Sequence, residues 1–176
     1  MELHLSGEST APPVQIRAAQ PEEAAALSDI CYRSKAHWGY DNAFMQAARH
    51  ELRLTPDDIT SSHVFVAEWD GVLCGFYRIK QHGKVAWLED LFLDPPAIGL
   101  GLGRHLWQHA ITLATQLGCT AIECESDPFA EQFYVKMGAH RIGQRESTIQ
   151  KGRLLPLMRC DLTPCAAQTS PPPPPD

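Results

Sequence analysis

The segment Leu91–Arg104, LFLDPPAIGLGLGR, constrains the fold of this chain more than any other part of the sequence. It places three glycines at alternate positions between an apolar run and a stretch of helical periodicity. Packing alone explains such a turn poorly, because three glycines within five residues have a high cost in chain entropy. A strand-to-helix turn of this kind suits a phosphate group, since free backbone N–H groups and a helix N-terminus favour negative charge.

Two familiar phosphate-binding motifs do not fit this loop. A Walker A loop needs Lys and then Ser or Thr after its last glycine, where this chain has Arg104 and His105. The dinucleotide fingerprint G-x-G-x-x-G, counted from Gly99, needs a glycine where this chain again has Arg104. A P-loop nucleotide hydrolase and a dinucleotide-binding fold are therefore not predicted.

Hydrophobic periodicity predicts alternating strands and helices in the order β-αα-βββ-α-β-α-ββ. The predicted strands cover residues 14–17, 63–68, 72–79, 85–93, 121–124, 139–149 and 155–162. Four helices are predicted. The first two begin at residues 21 and 41, and the other two cover residues 103–117 and 129–137. A chain of 176 residues with 44% hydrophobic content suffices for one well-buried domain, which we place at residues 14–162. Residues 1–13 are expected to be a flexible N-terminus and residues 163–176 a disordered Pro-rich tail.

Composition argues against several kinds of partner. A net charge of −6 without a basic block argues against nucleic acid, and no apolar run is long enough to span a membrane. The first residues lack the basic start and apolar core of a signal peptide, and the six cysteines form no C-x-x-C motif. We therefore expect free thiols in a reducing cytoplasm.

No spacing of cysteines and histidines predicts a metal site. His105 and His109 share one helix face at i, i+4, but no acidic third ligand lies near them in the sequence. We interpret them as a solvated pair on the polar side of their helix.

The loop from Ile98 to Gly103 resembles the acetyl-CoA loop [RQ]-x-x-G-x-[GA] of the GCN5-related N-acetyltransferase (GNAT) family, with Ile98 in the place of Arg or Gln. The resemblance covers nearly all of residues 14–162. It includes LEDLFLDP before the loop and the block from Asp127 to Gly138, which is similar to the family's N/D-P-x-A-x-x-F-Y-x-x-x-G. The glycine loop and this block together are a specific signature.

The resemblance implies a single α/β domain with a mixed, mostly antiparallel sheet of six to seven strands, flanked by helices, whose central strands splay apart. It implies transfer of an acetyl group from acetyl-CoA, by direct attack of a primary amine on the thioester, without a metal. Cofactor contacts are expected from the strand before the loop, from the loop itself and from the later block: Leu91, Phe92, Leu93, Gly99, Leu100, Gly101, Leu102, Gly103, Arg104 and Asp127.

Two carboxylates, Glu89 and Asp90, lie in a strand that is apolar on both faces, where an unpaired charge would be expensive. The resemblance implies that one of them acts as general base toward the amine. The alternation of side chains along the strand cannot choose between them, because a bulge would change which side of the sheet each side chain points to. Glu89 fits the family pattern better and is our prediction. For either residue, a purely structural carboxylate is the alternative.

Tyr134 is the predicted general acid. The stripe Phe129, Phe133 and Met137 is predicted to face the core, which leaves Tyr134 about 100° away round the helix and able to reach the cleft. By resemblance, its hydroxyl would protonate or hydrogen-bond the departing thiolate. A tyrosine that only packs at the edge of the core is the alternative.

The resemblance implies that the first two helices line the acceptor side, where His37, Trp38 and Tyr40 would border a site for an amine. An equal alternative is that Trp38 is a core residue and the others belong to a solvated surface. Asp127 has two readings of equal weight, as a contact to the pantetheine arm or as a plain helix N-cap before Pro128. The acceptor is either a small-molecule amine or a peptide, and the oligomeric state stays open, with a homodimer as one option. The alternative function is a catalytically inactive acyl-CoA-binding sensor of the same fold.

Overall fold

The structure, a computed structural model, describes residues 13–162. The strands are β1 (Gln15–Ala18), β2 (His63–Trp69), β3 (Val72–His82), β4 (Val85–Leu93), β5 (Ala121–Glu125), β6 (His140–Glu146) and β7 (Leu154–Asp161). The helices are α1 (Ala24–Ala36), α2 (Asn42–Ala48), α3 (Pro56–Thr60), α4 (Leu102–Gln116) and α5 (Glu131–Lys136). Apart from residue 13, the expected flexible N-terminus and the Pro-rich tail lie outside the described residues.

The seven strands form one sheet in the order β1-β2-β3-β4-β5-β7-β6. All neighbours pair antiparallel except β4 and β5, which are parallel. The predicted fold class, a mixed and mostly antiparallel sheet flanked by helices, is therefore confirmed. The predicted strands all exist, with ends that differ by a few residues.

Helix α3 is an element that periodicity did not predict. Its sequence nevertheless contains a start signal, because the Thr55 hydroxyl accepts a hydrogen bond from the Asp58 N–H while the Asp58 carboxylate accepts one from the Thr55 N–H. Pro56 stands at the first helical position, where its fixed φ is favourable. Hydrophobic periodicity does not indicate this helix, because a helix of five residues is too short to show an apolar stripe.

Both faces of the central sheet are covered. Helices α4 and α5 pack on one face, where Leu88, Leu106 and Trp107 belong to one buried cluster. Helices α1, α2 and α3 pack on the other face, where Leu27 and Phe76 belong to a second cluster. Strands β3 and β4 therefore contribute apolar side chains to both layers, which explains why their sequences are apolar on both parities.

The parallel pairing of β4 with β5 stops early. It joins three residue pairs and ends at Trp87 and Glu123, whereas β4 continues to Leu93 and β5 to Glu125. Beyond that point β4 remains paired with β3, and β5 remains paired with β7. The two halves of the sheet thus splay apart, as expected, and leave a gap beside the second half of β4.

His109 on α4 is not the solvated side chain that we expected. It is half-buried, it packs against Phe65 with ring centroids 4.7 Å apart, and its Nδ1 lies 2.7 Å from the Tyr77 hydroxyl. With the ring proton on Nε2, Nδ1 accepts a hydrogen bond from Tyr77. Burial lowers the pKa of His109 below its ordinary value of 6.5. His105, one turn earlier, is exposed as predicted.

We predict that His109 contributes to a loss of stability in mild acid. Because its folded-state pKa is depressed, the unfolded chain takes up the proton first, so stability is lost as the pH falls below about 6.5 and through the folded-state pKa. His109→Gln retains an acceptor for Tyr77 but does not titrate, and its free energy of unfolding should fall less between pH 7.5 and pH 5.5 in urea titrations. His105→Gln is the matched control and should follow the wild type; an identical pH dependence in His109→Gln would contradict the assignment.

Candidate active site

The glycine loop joins the end of β4 to the start of α4, beside the gap. Gly99 and Gly101 have φ values of 85° and 83°, in the left-handed region that favours glycine. Gly101 is the N-cap of α4, and the first backbone bond of the helix runs from the His105 N–H to the Gly101 carbonyl. The N–H groups of the first helical turn have no acceptor within the helix, so they are free for an anion.

Glycine is required at position 103 for a different reason, which is the close packing of two helices. A Cβ atom at this position would lie 3.2 Å from Cε2 of Phe133, so glycine allows α4 to begin close against α5. Leu100 and Arg104 are exposed at the loop surface. The loop therefore combines a left-handed backbone, free donors and a helix start, which is the geometry expected of a diphosphate-binding turn.

The gap itself is bordered by the backbone of β4 from residue 88 onward. Leu91 and Leu93 pack toward α4 and Phe92 toward α1 and α2, so their side chains are anchored in the two cores. Their N–H and C=O groups on the β5 side have no strand partner within residues 13–162. An extended ligand can pair with such an edge as an additional strand would.

Tyr134 on α5 is buried at the side of β5. Its ring meets the rings of Trp107 and Phe133 edge-on, at centroid distances of 5.5 and 5.2 Å, and the Cys124 thiol of β5 is close enough to affect the pKa of its hydroxyl. Burial, Cys124 and the negative charges of Asp90 and Asp127 all raise the pKa of Tyr134 well above its ordinary value. The hydroxyl therefore stays protonated and available as a donor.

The predicted stripe on this helix was wrong at Phe129, whereas Phe133 and Met137 are partly buried against the core, as predicted. Tyr134 is the buried residue of α5, whereas Phe129 is 56% exposed. Phe129 belongs to the 3-10 turn Pro128–Ala130, which precedes the α-helix. Counting 100° per residue from position 129 therefore misplaced Phe129, because a 3-10 turn advances by 120° per residue.

Glu89 and Asp90 are separated by a β-bulge. Arg78 of β3 pairs with Asp90 and Ile79 pairs with Leu88, so Glu89 is the extra residue of β4. Its side chain is exposed, and it forms no ion pair with any residue between 13 and 162. Its charge is nevertheless close enough to raise the pKa of Asp90.

Asp90 has a different environment. Its carboxylate accepts a 2.6 Å hydrogen bond from Nε of Arg78, whose Nη1 also donates to Asp58 of α3. Burial raises the pKa of Asp90, although Arg78 opposes this effect. Asp90 is thus engaged in a structural ion pair that ties β4 to β3, and through Arg78 to α3.

Asp127 lies two residues beyond β5 and connects three segments that are distant in sequence. Its carboxylate accepts hydrogen bonds from Nζ of Lys35 at 2.5 Å, from the Tyr40 hydroxyl at 2.9 Å and from Nη2 of Arg153 at 3.0 Å. It also caps the following turn by accepting the Phe129 N–H. We call Lys35, Tyr40, Asp127 and Arg153 the Asp127 cluster.

Burial shapes the protonation of this cluster. It lowers the pKa of Lys35, against the opposing effect of Asp127, and raises the pKa of Tyr40 to about 12. Burial would raise the pKa of Asp127 as well, but Lys35 and the hydrogen bonds outweigh it, so this pKa is lowered. Asp127 is therefore held as an anion, in ion pairs with Lys35 and Arg153.

The residues predicted for the acceptor side lie next to this cluster. Tyr40 is one of its members, while Trp38 stacks on Phe129 with centroids 5.5 Å apart at the surface. The His37 ring meets Trp38 edge-on at 5.8 Å and is otherwise exposed. The end of α1 and the segment after β5 thus form one aromatic wall.

Sequence reasoning missed Lys35 and Arg153. A signal for Lys35 did exist, because it follows Leu27 and Cys31 at helical spacing and so continues the buried face of α1. Arg153 lies in the connection between β6 and β7, where no periodicity indicates which side chains turn inward. Only the folded arrangement shows that both cations meet Asp127.

Two further observations concern metals and membranes. Between residues 13 and 162, no group of three or more His, Cys, Asp or Glu side chains is arranged to hold a metal ion. None of the helices in this range has the length and apolar character required to cross a bilayer.

The cysteines of the described range are all buried free thiols: Cys31, Cys74, Cys119, Cys124 and Cys160.

Comparison with known proteins identifies relatives of this chain. Residues 28–139 match the sequences described as the Acetyltransferase (GNAT) family. The peptidyl-lysine N-acetyltransferase YjaB of Salmonella typhimurium is 33% identical over 138 residues, which cover 76% of this chain and 88% of that protein.

Two solved structures share the fold. PaiA N-acetyltransferase from Thermoplasma acidophilum, in complex with coenzyme A, has a TM-score of 0.68 and 17% identity, over 85% of this chain and 99% of that one. YncA from Salmonella typhimurium, with its cofactor acetyl-CoA, has a TM-score of 0.61 and 22% identity, over 88% of this chain and 97% of that one. At these identities the likeness is one of fold.

We predict that Asp127→Ala destabilises the protein by about 3 kcal/mol, because it leaves two largely buried cations without their carboxylate. Asp161→Ala is the matched control, since that carboxylate also pairs with an arginine but is 63% exposed. Its loss should change the free energy of unfolding by less than about 1 kcal/mol. Urea denaturation at neutral pH measures both, and equal effects of the two substitutions would show that the Asp127 cluster is not stabilising.

Proposed function

Because the chain belongs to the Acetyltransferase (GNAT) family, we propose that it transfers the acetyl group of acetyl-CoA to the side-chain amine of a lysine in a peptide. The gap between β4 and β5 carries this proposal, because it joins the glycine loop at one end to Tyr134 and the acidic pair at the other. YjaB, a peptidyl-lysine N-acetyltransferase, supports lysine as the acceptor over a small-molecule amine.

In the proposed complex, backbone N–H groups from Gly99 to Arg104 bind the pyrophosphate of acetyl-CoA at the start of α4. The pantetheine arm then runs along β4 and pairs with the free backbone groups of residues 91–93, as an added strand would. The carboxylate of Asp127 already has four hydrogen-bond donors around it, so we assign it to shaping the wall of this channel. Each of these groups belongs to one chain, so a homodimer is compatible with the proposal but not required.

Glu89 is the proposed general base. Its exposed carboxylate has no ion pair within the described residues, whereas Asp90 is engaged with Arg78. Glu89 takes a proton from the lysine ammonium, through water, and the free amine then attacks the thioester carbonyl. In the tetrahedral intermediate the nitrogen loses its second proton to water, and as the intermediate collapses the C–S bond breaks and its electron pair passes to sulfur.

Tyr134 is the proposed partner of the departing sulfur. Its raised pKa means that full proton transfer to a thiolate would be uphill, by more than the roughly 2 kcal/mol that separates an ordinary phenol from a thiol. Its hydroxyl therefore acts mainly as a hydrogen-bond donor to the thiolate.

The first prediction from this proposal concerns binding. Coenzyme A should raise the melting temperature, whereas ATP and NAD should raise it far less. Gly101→Val should abolish the shift, because a branched residue cannot keep the left-handed backbone of the loop. Gly83→Val is the control, since it imposes the same kind of strain at φ 60° in the distant β3–β4 turn. Equal protection by all three nucleotides would contradict the assignment of the loop.

The second prediction concerns chemistry. In a thiol-release assay with a lysine peptide, Tyr134→Phe should lower kcat by roughly ten- to a thousandfold with little change in the KM for acetyl-CoA. Glu89→Gln should lower the rate chiefly at neutral pH and recover partly at higher pH, where more of the lysine is unprotonated. Asp90→Asn should instead reduce stability, because it weakens the pair with Arg78.

Two results would count against these roles. Unchanged rates in Tyr134→Phe and Glu89→Gln would remove both residues from the mechanism. Tight binding of coenzyme A without acetylation of any amine or peptide would favour the alternative function, a sensor of acyl-CoA with the same fold.

A further inference from the structure

The Asp127 cluster contains more positive than negative charge. Lys35 and Arg153 both bind the single carboxylate of Asp127, and the exposed fractions of these three side chains are only 10%, 11% and 11%. Glu51 is close enough to Lys35 to influence its pKa, but its side chain is exposed and accepts a hydrogen bond from Thr148. The sheltered part of the cluster therefore carries a net charge of +1.

Arg153 has donors that the protein does not use. Its Nη2 donates to both Tyr40 and Asp127, whereas Nε and Nη1 have no acceptor within residues 13–162. No fully buried nitrogen in that range lacks a hydrogen-bond partner, so Nε and Nη1 must reach solvent. A largely buried guanidinium with accessible, unpaired donors is suited to binding an anionic ligand.

Aromatic rings hold the two cations in place. The stacked rings of Tyr40 and Phe44 lie beneath both charges, with Lys35 Nζ 5.4 Å from the Tyr40 centroid and Arg153 Cζ 5.1 Å from that of Phe44. Such contacts favour cations and restrict their rotamers. The donors of the cluster are therefore preorganised, which lowers the entropy cost of binding an anion.

The cluster also lies beside the reaction centre of the proposed function. Lys35 is one helical turn beyond Cys31, which is close enough to Asp90 and Arg78 for their charges to influence its pKa. The charge of Asp127 likewise influences Tyr134. The cluster is therefore within electrostatic reach of residues that border the proposed site of reaction.

From this arrangement we infer that Lys35 and Arg153 form a carboxylate-binding subsite, which selects lysine acceptors that carry a carboxylate near the reactive amine. The inference rests on the proposed function and specifies its substrate class. The carboxylate is either the C-terminus of the acceptor lysine or the side chain of a neighbouring Asp or Glu. Asp127 neutralises only one of the two positive charges, and a substrate carboxylate bound beside it would neutralise the other.

The experiment compares acceptors that differ only in this charge. Nα-acetyl-lysine is compared with its carboxamide, and the blocked dipeptide Glu-Lys amide is compared with Gln-Lys amide. The wild type should prefer the charged member of at least one pair by about ten- to a hundredfold in kcat/KM, as expected for a charge-assisted hydrogen bond. A preference in the first pair assigns the carboxylate to the C-terminus, and one in the second pair assigns it to a side chain.

Variants separate recognition from structure. Arg153→Gln and Lys35→Met each leave one cation for Asp127, so both should fold, as urea denaturation will show. Each should raise the KM for the charged acceptor about tenfold or more, with the KM values for the uncharged acceptor and for acetyl-CoA unchanged. Arg153→Lys should retain part of the preference. Arg141→Gln, which removes an exposed arginine of β6, is the control and should change nothing.

Failure of this inference is distinguishable from failure of the proposed function. Equal use of charged and uncharged acceptors by the wild type would overturn the subsite while leaving lysine acetylation intact. Equal loss of both acceptors in Arg153→Gln would also overturn it, because a merely structural role affects both. No product from any lysine acceptor would instead refute the proposed function, and the subsite with it.

Discussion

The parallel ladder between β4 and β5 ends after three residue pairs, and the candidate site depends on this interruption. Backbone N–H and C=O groups are strong hydrogen-bonding groups, and a strand edge inside a sheet is normally paired. Here β4 remains paired with β3, and β5 remains paired with β7. The sheet therefore opens between β4 and β5 while each of its two halves stays hydrogen-bonded. The open edge is consequently held rigid by two packed cores and can receive an extended ligand.

Buried charges determine how the walls of this gap are joined. Arg78 links Asp90 of β4 to Asp58 of α3, and Asp127 links the end of β5 to α1 and to the β6–β7 connection. Breaking such pairs is expensive because the remaining charge would stay in a poorly solvated place. The pairs therefore hold distant segments in register around the gap. Glu89, placed outside the ladder by its bulge, stays free of these constraints.

Local signals predicted much of the fold. The dipeptide Asp70-Gly71 is a local signal for the turn between β2 and β3, because both positions require positive φ, and they have it, at 51° and 75°. The helix end at Gly118 was predictable for the same reason, with φ at 76°. The exposure of Phe129 and the burial of Tyr134 were not, because the 3-10 turn before α5 changes the angular count and only packing against Trp107 shows that Tyr134 is buried.

The sequence alone therefore determined the order of the strands and of the longer helices, the glycine loop and the acidic pair, since turn chemistry and apolar periodicity act over a few neighbouring residues. The tertiary structure decided that Asp90, and not Glu89, pairs with Arg78, and that Lys35 and Arg153 share the carboxylate of Asp127. Lys35, Asp127 and Arg153 are brought together across 92 and 26 residues of chain, and the bulge that separates Glu89 from Asp90 exists only in the pairing of β4 with β3. Electrostatic environment depends on burial and on partners that are distant in the chain, and no local pattern identifies those partners.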